Sequence, residues 1–211
     1  MSGSGRYFIA RHGETVFNAA GRLQGDHAHT PLTRAGFAQA DAMGVMLRDY
    51  LGPRPALTLW ASDTGRALQT LSVIAEHLEL DWHQARTDAR LAEIGMGAWG
   101  GRYYHDVMAE VGPILDREQG LFSQQAPGGE WYDDIAARLR GWLDDTADQT
   151  GDRLILMHGI SSRVLRGMLT GVATTSQHRA PVAAGLPQGS MVMVEHGRET
   201  IIRTGTGHAP V

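Results

Sequence analysis

Two apolar segments of this chain each end in a His-Gly pair, and this repetition limits the fold more than any other feature. Residues 7–10 are followed by Arg11-His12-Gly13, and the apolar run at 153–157 is followed by His158-Gly159. Short apolar runs of this kind are typical of buried strands. In an α/β sheet of mainly parallel strands, ligands bind at the carboxyl ends of the strands. The sequence therefore predicts that both histidines lie at a ligand-binding edge of one sheet.

The remainder of the chain alternates between strand and helix patterns. Apolar runs predict further strands at 57–61, near 82–85, at 191–194 and at 200–203. Helical periodicity predicts helices at about 34–50, 65–77, 131–146 and 161–169, with Thr33 capping the first and Ser62 or Asp63 capping the second. This alternation indicates an α/β fold, a three-layer α/β/α sandwich around a mainly parallel, mixed sheet.

The length of 211 residues is most simply that of one domain, 1–211. A glycine-rich loop at 95–101 begins an irregular stretch that continues to Gly129. We interpret this stretch, at about 95–130, as a small cap inserted over one end of the sheet, and call it the cap segment.

Composition excludes several classes of function. The net charge of -4 argues against a broad nucleic-acid or membrane surface, and the absence of cysteine excludes disulfides and thiolate chemistry. The sequence has no HExxH motif and no Asp-rich cluster, so we expect no metal. The polar start lacks the apolar core of a secretory signal and no stretch is long enough to span a bilayer, so we expect a cytoplasmic protein.

The residues at the two strand ends suit a phosphoryl group. Arginine offers a planar fork of donors to phosphoryl oxygens, and an imidazole can attack phosphorus to form a covalent intermediate. A helix N-terminus adds free N–H donors and partial positive charge. Because Arg11, His12 and His158 all stand at such junctions, the sequence predicts a small-anion site there.

Ordered motifs along nearly the whole chain carry a family resemblance. They are Arg11-His12-Gly13-Glu14-Thr15 with Asn18, Gly25, Thr30-Pro31-Leu32-Thr33, Ser62-Asp63 with Arg66, Leu91 with Glu93, Gly97 with Trp99, Pro127-Gly128-Gly129-Glu130, and Met157-His158-Gly159. The chain resembles the histidine phosphatase superfamily in its phosphoglycerate mutase-like branch, branch 1. Glu14 directly after His-Gly is similar to this branch and not to the acid-phosphatase branch.

The resemblance implies a role for each site residue. His12 would be the nucleophile that becomes a phosphohistidine, and Glu93 would be the general acid and then the general base. Arg11 and Arg66 would clamp the phosphoryl oxygens, with His158 as a further donor. The remaining phosphate-binding residues would be Asn18, Gln24, Gly25 and Gly159. No cofactor is implied.

Three features bear on the substrate. The family often carries an acidic residue after Trp99, where this chain has Gly100. The aromatic residues of and near the cap segment either line the substrate pocket or pack the segment onto the sheet: Trp99, Tyr103, Tyr104, His105, Phe122 and Trp131. Ser161, Ser162, Arg163 and Arg166 fall in the helix after His158. They either reach the substrate or, as we expect, lie on the surface of that helix.

Three functions remain open at this point. The first is a metal-independent phosphatase that acts on a small phosphorylated metabolite. The second is a phosphoglycerate mutase, and the third is a non-catalytic protein that binds phosphorylated ligands. The short stretch between Gly95 and Gly129 favours access of water, and hence hydrolysis. The oligomeric state stays open, with a homodimer as one option.

Overall fold

The computed structural model describes residues 5–207, so the first four residues, on which most of the signal-peptide expectation rests, lie outside the described part. The described strands are β1 (Tyr7–Arg11), β2 (Leu57–Ala61), β3 (Arg86–Thr87), β4 (Leu115–Asp116), β5 (Leu121–Phe122), β6 (Asp152–Met157), β7 (Met191–Glu195) and β8 (Arg198–Arg203). The α-helices are α1 (Val16–Ala20), α2 (Arg34–Leu51), α3 (Gly65–His77), α4 (Tyr104–Val111), α5 (Tyr132–Asp145) and α6 (Gly159–Thr170). Short 3₁₀ helices occupy Trp82–Gln84, Ala89–Leu91 and Gly97–Trp99.

Six of these strands form one mixed sheet in the order β3-β2-β6-β1-β7-β8. Strands β3, β2, β6 and β1 are parallel, whereas β7 and β8 are antiparallel to their neighbours. The two strands left over, β4 and β5, pair with each other in the cap segment. This arrangement confirms the predicted α/β class with a mainly parallel, mixed sheet.

The sheet separates two hydrophobic cores. Successive side chains of a strand point to opposite faces. On β1, Phe8 and Ala10 therefore join one core while Ile9 joins the other. The first core packs under α2 and α3, and the second lies under α5, α6 and the cap segment. Burial on both faces explains the uninterrupted apolar runs at 7–10 in β1 and 154–157 in β6.

The structure corrects three local predictions. The strand near 82–85 is wrong, because the Asp81 carboxylate accepts the N–H of His83 at 3.0 Å and starts a 3₁₀ turn. The N-cap of α3 is Thr64, not Ser62 or Asp63, because the Ser62 hydroxyl accepts the N–H of Thr64 at 3.4 Å before the helix begins. Helix α6 starts at Gly159, two residues earlier than predicted. None of the helices between residues 5 and 207 combines the length and apolar character needed to cross a bilayer.

Candidate active site

The two His-Gly pairs meet at the carboxyl edge of the sheet. Strands β1 and β6 are parallel neighbours, and their last residues, Arg11 and Met157, lie opposite each other. The residue that directly follows each strand is a histidine. The ring centroids of His12 and His158 lie 5.1 Å apart, and the rings are inclined at 64°. Both side chains are buried. The prediction that the two histidines share one edge is confirmed.

Both glycines of these pairs sit where a side chain would crowd the site. A Cβ on Gly13 would lie 2.3 Å from the Gly36 carbonyl oxygen, so any larger residue would push the start of α2 away. A Cβ on Gly159 would lie 3.3 Å from Glu93 Oε2 and 3.5 Å from Arg11 Cζ. The His-Gly pattern therefore reflects close packing directly beside the candidate catalytic groups.

The His12 ring is held in one tautomer. Its Nδ1 lies 2.7 Å from the Gly13 carbonyl oxygen, which can only accept a hydrogen bond, so Nδ1 carries the proton. The other nitrogen, Nε2, is then left with its lone pair. Burial, followed by the charges of Arg66 and Arg11, lowers the pKa of His12 well below the ordinary value of 6.5. The imidazole is therefore neutral at neutral pH and available as a nucleophile.

His158 is held in the opposite tautomer. Arg66 Nε donates to His158 Nδ1 at 3.2 Å, so Nδ1 accepts and the proton resides on Nε2. Within the described residues, this Nε2 is buried without a hydrogen-bond partner. Burial and then Arg66 lower the pKa of His158 well below 6.5, so the ring stays neutral. An unpartnered buried donor beside His12 is suited to a phosphoryl oxygen.

Arg66 is bound mainly by protein oxygens. Its guanidinium donates to the carbonyl of His27 at 2.6 Å, to the carbonyl of Gly25 at 2.7 Å and to the Thr30 hydroxyl at 2.9 Å. A cation in the first turn of a helix is unfavourable for the helix dipole, and these oxygens offset that cost. Arg66 remains cationic, since burial lowers its pKa only to about 10.

Arg11 reaches the site from the last position of β1. Its Nη1 donates to the Leu186 carbonyl at 2.8 Å. Burial lowers the pKa of Arg11 to about 10, which leaves it charged at neutral pH. Together with Arg66, it gives the region around the two neutral imidazoles a positive potential, which attracts an anion.

Glu93 lies over the start of α6. Its carboxylate accepts the N–H of Ile160 at 3.0 Å and the N–H of Ser161 at 2.9 Å. The supporting loop is fixed by an ion pair between Glu130 and Arg138, with Nε to Oε1 at 2.9 Å. Arg138 also donates to the Glu93 carbonyl at 3.2 Å, and Glu130 accepts the N–H of Gly95 at 2.9 Å. Sequence reasoning missed Arg138, because no motif includes it.

These groups surround one open cavity. Seven of the nine predicted site residues line it: Arg11, His12, Asn18, Gln24, Gly25, Glu93 and Gly159. The other two, Arg66 and His158, are fully buried, and the His158 ring lies 5.1 Å from the ring of His12 in the lining. Asn18 and Gln24 are coupled through Thr15, whose hydroxyl lies within hydrogen-bond distance of both side-chain oxygens. The structure thus brings the predicted residues together.

The cap segment supplies part of the apolar lining, and Leu23, Ile94 and Ile160 supply the remainder. Tyr104, Leu115 and Phe122 face the cavity, and Arg22 lies beside them. Trp99 and Trp131 are instead buried in the core, and His105 is exposed at the surface. Tyr104 and Phe122 are therefore the two predicted aromatic residues that line the cavity. Burial raises the pKa of Tyr104 to about 12, so it stays a neutral phenol.

Two expectations about neighbouring residues need correction. Arg163 and Arg166, like Ser161 and Ser162, are buried and do not lie on an exposed helix surface. Arg163 donates to the Gly120 carbonyl at 3.0 Å and so ties the cap segment to α6, while Arg166 pairs with Glu199 at 2.7 Å. Gly100 stands after Trp99, where the family often has an acidic residue. A Cβ on Gly100 would lie 3.0 Å from His27 Nε2.

The part of the chain between residues 5 and 207 contains no group of three or more His, Asp or Glu side chains arranged to hold a metal ion. The charge beside the two histidines is supplied by the guanidinium groups of Arg11 and Arg66.

Comparison with known proteins gives the family. Residues 7–204 match the family model of the histidine phosphatase superfamily, branch 1. The chain belongs to this superfamily. The resemblance carried by the motifs is thereby confirmed over nearly the full length.

The individual relatives include a protein named as a mutase and a protein whose name includes a phosphatase. The Erwinia tasmaniensis protein named probable phosphoglycerate mutase GpmB is 32% identical over 178 residues, which are 82% of this chain and 78% of that protein. The Caenorhabditis elegans protein named 6-phosphofructo-2-kinase/fructose-2,6-bisphosphatase is 34% identical over 133 residues. That match spans 63% of this chain but 27% of the longer protein.

Among solved structures, the mycobacterial glucosyl-3-phosphoglycerate phosphatase in complex with VO3 is similar throughout. Its TM-score is 0.75 at 27% sequence identity, with 97% of this chain and 100% of that chain covered. Because the family and its members are phosphatases or phosphoglycerate mutases, the prediction of an enzyme of this type is confirmed.

Proposed function

We propose that this protein is a metal-independent phosphatase that hydrolyses a small phosphomonoester through a phosphohistidine on His12. The observation that carries the proposal is the pair of opposite tautomers. His12 presents a lone pair on Nε2, and His158 presents an N–H on Nε2, at rings 5.1 Å apart beside two arginines. A nucleophile and an oxyanion donor are what phosphoryl transfer to nitrogen requires.

In the first step, His12 Nε2 attacks phosphorus and the bond from phosphorus to the ester oxygen breaks. The phosphoryl oxygens take hydrogen bonds from Arg11, His158 and Asn18. Because Nδ1 keeps its proton against the Gly13 carbonyl, the phosphorylated ring is cationic, which makes it a good leaving group in the next step. Glu93, which lines the cavity with His12, delivers a proton to the departing alkoxide and is left as a carboxylate.

In the second step, a water molecule replaces the departed alcohol. The Glu93 carboxylate takes one proton from this water, the oxygen forms a bond to phosphorus, and the bond to Nε2 breaks. Inorganic phosphate leaves, and His12 returns to its neutral form. The position of Glu93 in the cavity lining with His12 supports this double role.

The direct test is release of inorganic phosphate from p-nitrophenyl phosphate in the presence of EDTA. We expect turnover without added metal. Activity that disappears with EDTA and returns with a divalent cation would contradict metal independence. Binding of phosphate esters without any turnover would point to the non-catalytic alternative.

Phosphoglycerate mutase activity is the second candidate, favoured by the likeness to the protein named GpmB over 78% of that protein's length. A mutase returns the phosphoryl group to the substrate instead of to water. Incubation with 3-phosphoglycerate and a bisphosphorylated primer separates the two functions. A phosphatase yields glycerate and phosphate, whereas a mutase yields 2-phosphoglycerate without net phosphate release. The cytoplasmic setting and the option of a homodimer stay predictions.

A further inference from the structure

Thr15 is a buried residue that contacts two members of the cavity lining, Asn18 and Gln24, and the phosphoryl mechanism does not use it. It is the N-cap of α1, and its hydroxyl accepts the N–H of Asn18 at 3.2 Å. Thr15 N–H in turn donates to Asn18 Oδ1 at 3.1 Å, which completes a capping box. Thr15 therefore holds both the main chain and the side chain of Asn18.

The capping box fixes the direction in which the Asn18 amide faces. A backbone N–H can only donate, so the atom that meets the Thr15 N–H is the oxygen Oδ1. The NH₂ group stands at the other corner of the same planar amide and is directed away from Thr15. Because Asn18 lines the cavity, its NH₂ group is the part of the amide that is available to a ligand.

The Thr15 hydroxyl orients the Gln24 amide in the same sense. Its oxygen contacts both Gln24 Oε1 and Asn18 Oδ1, but a hydroxyl has one proton to donate. Asn18 Oδ1 already accepts the Thr15 N–H, whereas Gln24 Oε1 accepts no other hydrogen bond from residues 5–207. The hydroxyl proton therefore belongs to the bond with Gln24 Oε1, and the Gln24 NH₂ group is directed away from Thr15.

We propose that Thr15 is a positioning residue that turns the NH₂ groups of Asn18 and Gln24 toward the transferred phosphoryl group. The inference rests on the proposed function, because it concerns how the same site holds that group. In the opposite orientation each amide would present a carbonyl oxygen, which can only accept and so cannot bind a phosphoryl oxygen. Thr15 acts through these two amides and does not itself contact the reacting atoms.

Inorganic phosphate is the probe, because it occupies the phosphoryl position and carries no leaving group. Its dissociation constant is measured by calorimetry with the full chain. We expect Thr15→Val, which keeps the shape but removes the hydroxyl, to weaken phosphate binding by about fivefold or more. Thr15→Ser keeps the hydroxyl and should bind within about twofold of the unaltered protein. In a Gln24→Ala background, Thr15→Val should weaken binding by less than about twofold, since the amide that the hydroxyl orients is gone.

Thr33→Val is the matched control. Thr33 is the N-cap of α2, where its hydroxyl accepts the N–H of Gly36 at 3.0 Å, and it does not line the cavity. Both substitutions remove a capping hydroxyl, so both should lower the melting temperature, but Thr33→Val should leave the affinity for phosphate unchanged. The inference is overturned if Thr15→Val weakens phosphate binding equally with and without Gln24, or does not weaken it at all.

A second measurement uses the unaltered protein, in case Thr15→Val does not fold. The side-chain NH₂ signals of Gln24 and Asn18 are identified by NMR from their loss in Gln24→Ala and Asn18→Asp. Saturating phosphate should shift both pairs of signals, because each NH₂ group then donates to an anion. Signals that do not move would also overturn the inference. Turnover of p-nitrophenyl phosphate is scored separately, and its absence with both shifts present would count against the proposed function alone.

Discussion

The edge of the sheet and the cap segment enclose one cavity by different physical means. At the edge, His12, Arg66 and His158 are buried, and each is fixed by a hydrogen bond to a main-chain carbonyl or to another member of the group. In the cap segment, Leu115 and Phe122 line the cavity, and they lie on two short strands that pair with each other.

This difference separates two tasks. Hydrogen bonds to the main chain fix tautomers and charges within narrow limits, so substitutions at the edge should abolish the chemistry. Apolar contacts are less directional, so substitutions in the cap segment should change which leaving group is accepted. On the proposed mechanism, the edge acts on the phosphoryl group and the cap segment acts on the alcohol.

The largest effect is expected at His12. His12→Ala removes the nucleophile, and kcat should fall by about 10⁴-fold or more, as for other covalent catalysts. Turnover of p-nitrophenyl phosphate measures this change, and circular dichroism checks the fold. His83→Ala, at an exposed histidine outside the cavity lining, is the control and should keep full activity. Near-normal activity of His12→Ala would rule out the proposed nucleophile.

The second effect is at Glu93 and depends on the leaving group. Glu93→Gln keeps an oxygen to accept the N–H groups of α6 but cannot supply a proton. Because an alkoxide needs that proton more than a nitrophenolate does, kcat for glycerol 3-phosphate should fall by about 10²–10³-fold, and kcat for p-nitrophenyl phosphate by much less. Equal losses for both substrates would mean that Glu93 serves only to hold the start of α6.

The third effect is confined to the cap segment. Phe122→Ala should lower kcat/KM for p-nitrophenyl phosphate by about tenfold, since it removes apolar contact with the aromatic leaving group. The rate at which the phosphoenzyme is hydrolysed should stay the same, because the leaving group has already departed. Phe37→Leu, at an exposed position of α2, is the control. Slower hydrolysis of the phosphoenzyme in Phe122→Ala would show that the cap segment also acts on the phosphoryl group. That result would contradict the proposed separation of tasks between the edge and the cap segment.

The smallest effect is on stability. The folded state keeps the pKa values of His12 and His158 well below 6.5, while the unfolded chain protonates histidine near its ordinary value. The unfolded state therefore binds more protons as the pH falls. The free energy of unfolding should decrease below about pH 6.5, with a slope approaching about 1.4 kcal/mol per pH unit for each histidine.

Urea unfolding from about pH 7 to about pH 5.5 measures that slope. His12→Asn removes one titrating ring and should flatten the dependence, whereas His83→Asn should leave it as in the unaltered protein. An identical slope in His12→Asn would show that the ring is not held neutral by its surroundings.

The sequence was sufficient for five of the six strands of the sheet and for most of the edge. Strands β1 and β6 are buried on both faces, so their apolar runs are unambiguous, and the glycines after His12 and His158 mark tight packing. The 3₁₀ helix at Trp82–Gln84 was missed because its signal is one Asp81 side chain and not a hydrophobic period.

Other features depend on contacts between distant parts of the chain. The tautomer of His158 follows from Arg66, which is 92 residues away in sequence. The support of the Glu93 loop follows from Arg138, 45 residues away. Periodicity and motif spacing report local structure, so neither pairing could be read from them. The place of Arg22 in the cavity likewise depends on its contacts with Gly101 and Tyr103.

The most direct test of the account is to trap the covalent intermediate. A radiolabelled phosphate ester is mixed with the enzyme, the reaction is quenched within one turnover, and the labelled peptide is sequenced. We expect an acid-labile phosphoryl group on His12 that forms and decays at least as fast as overall turnover. Phosphate release without any labelled intermediate, or a label on another residue, would contradict it.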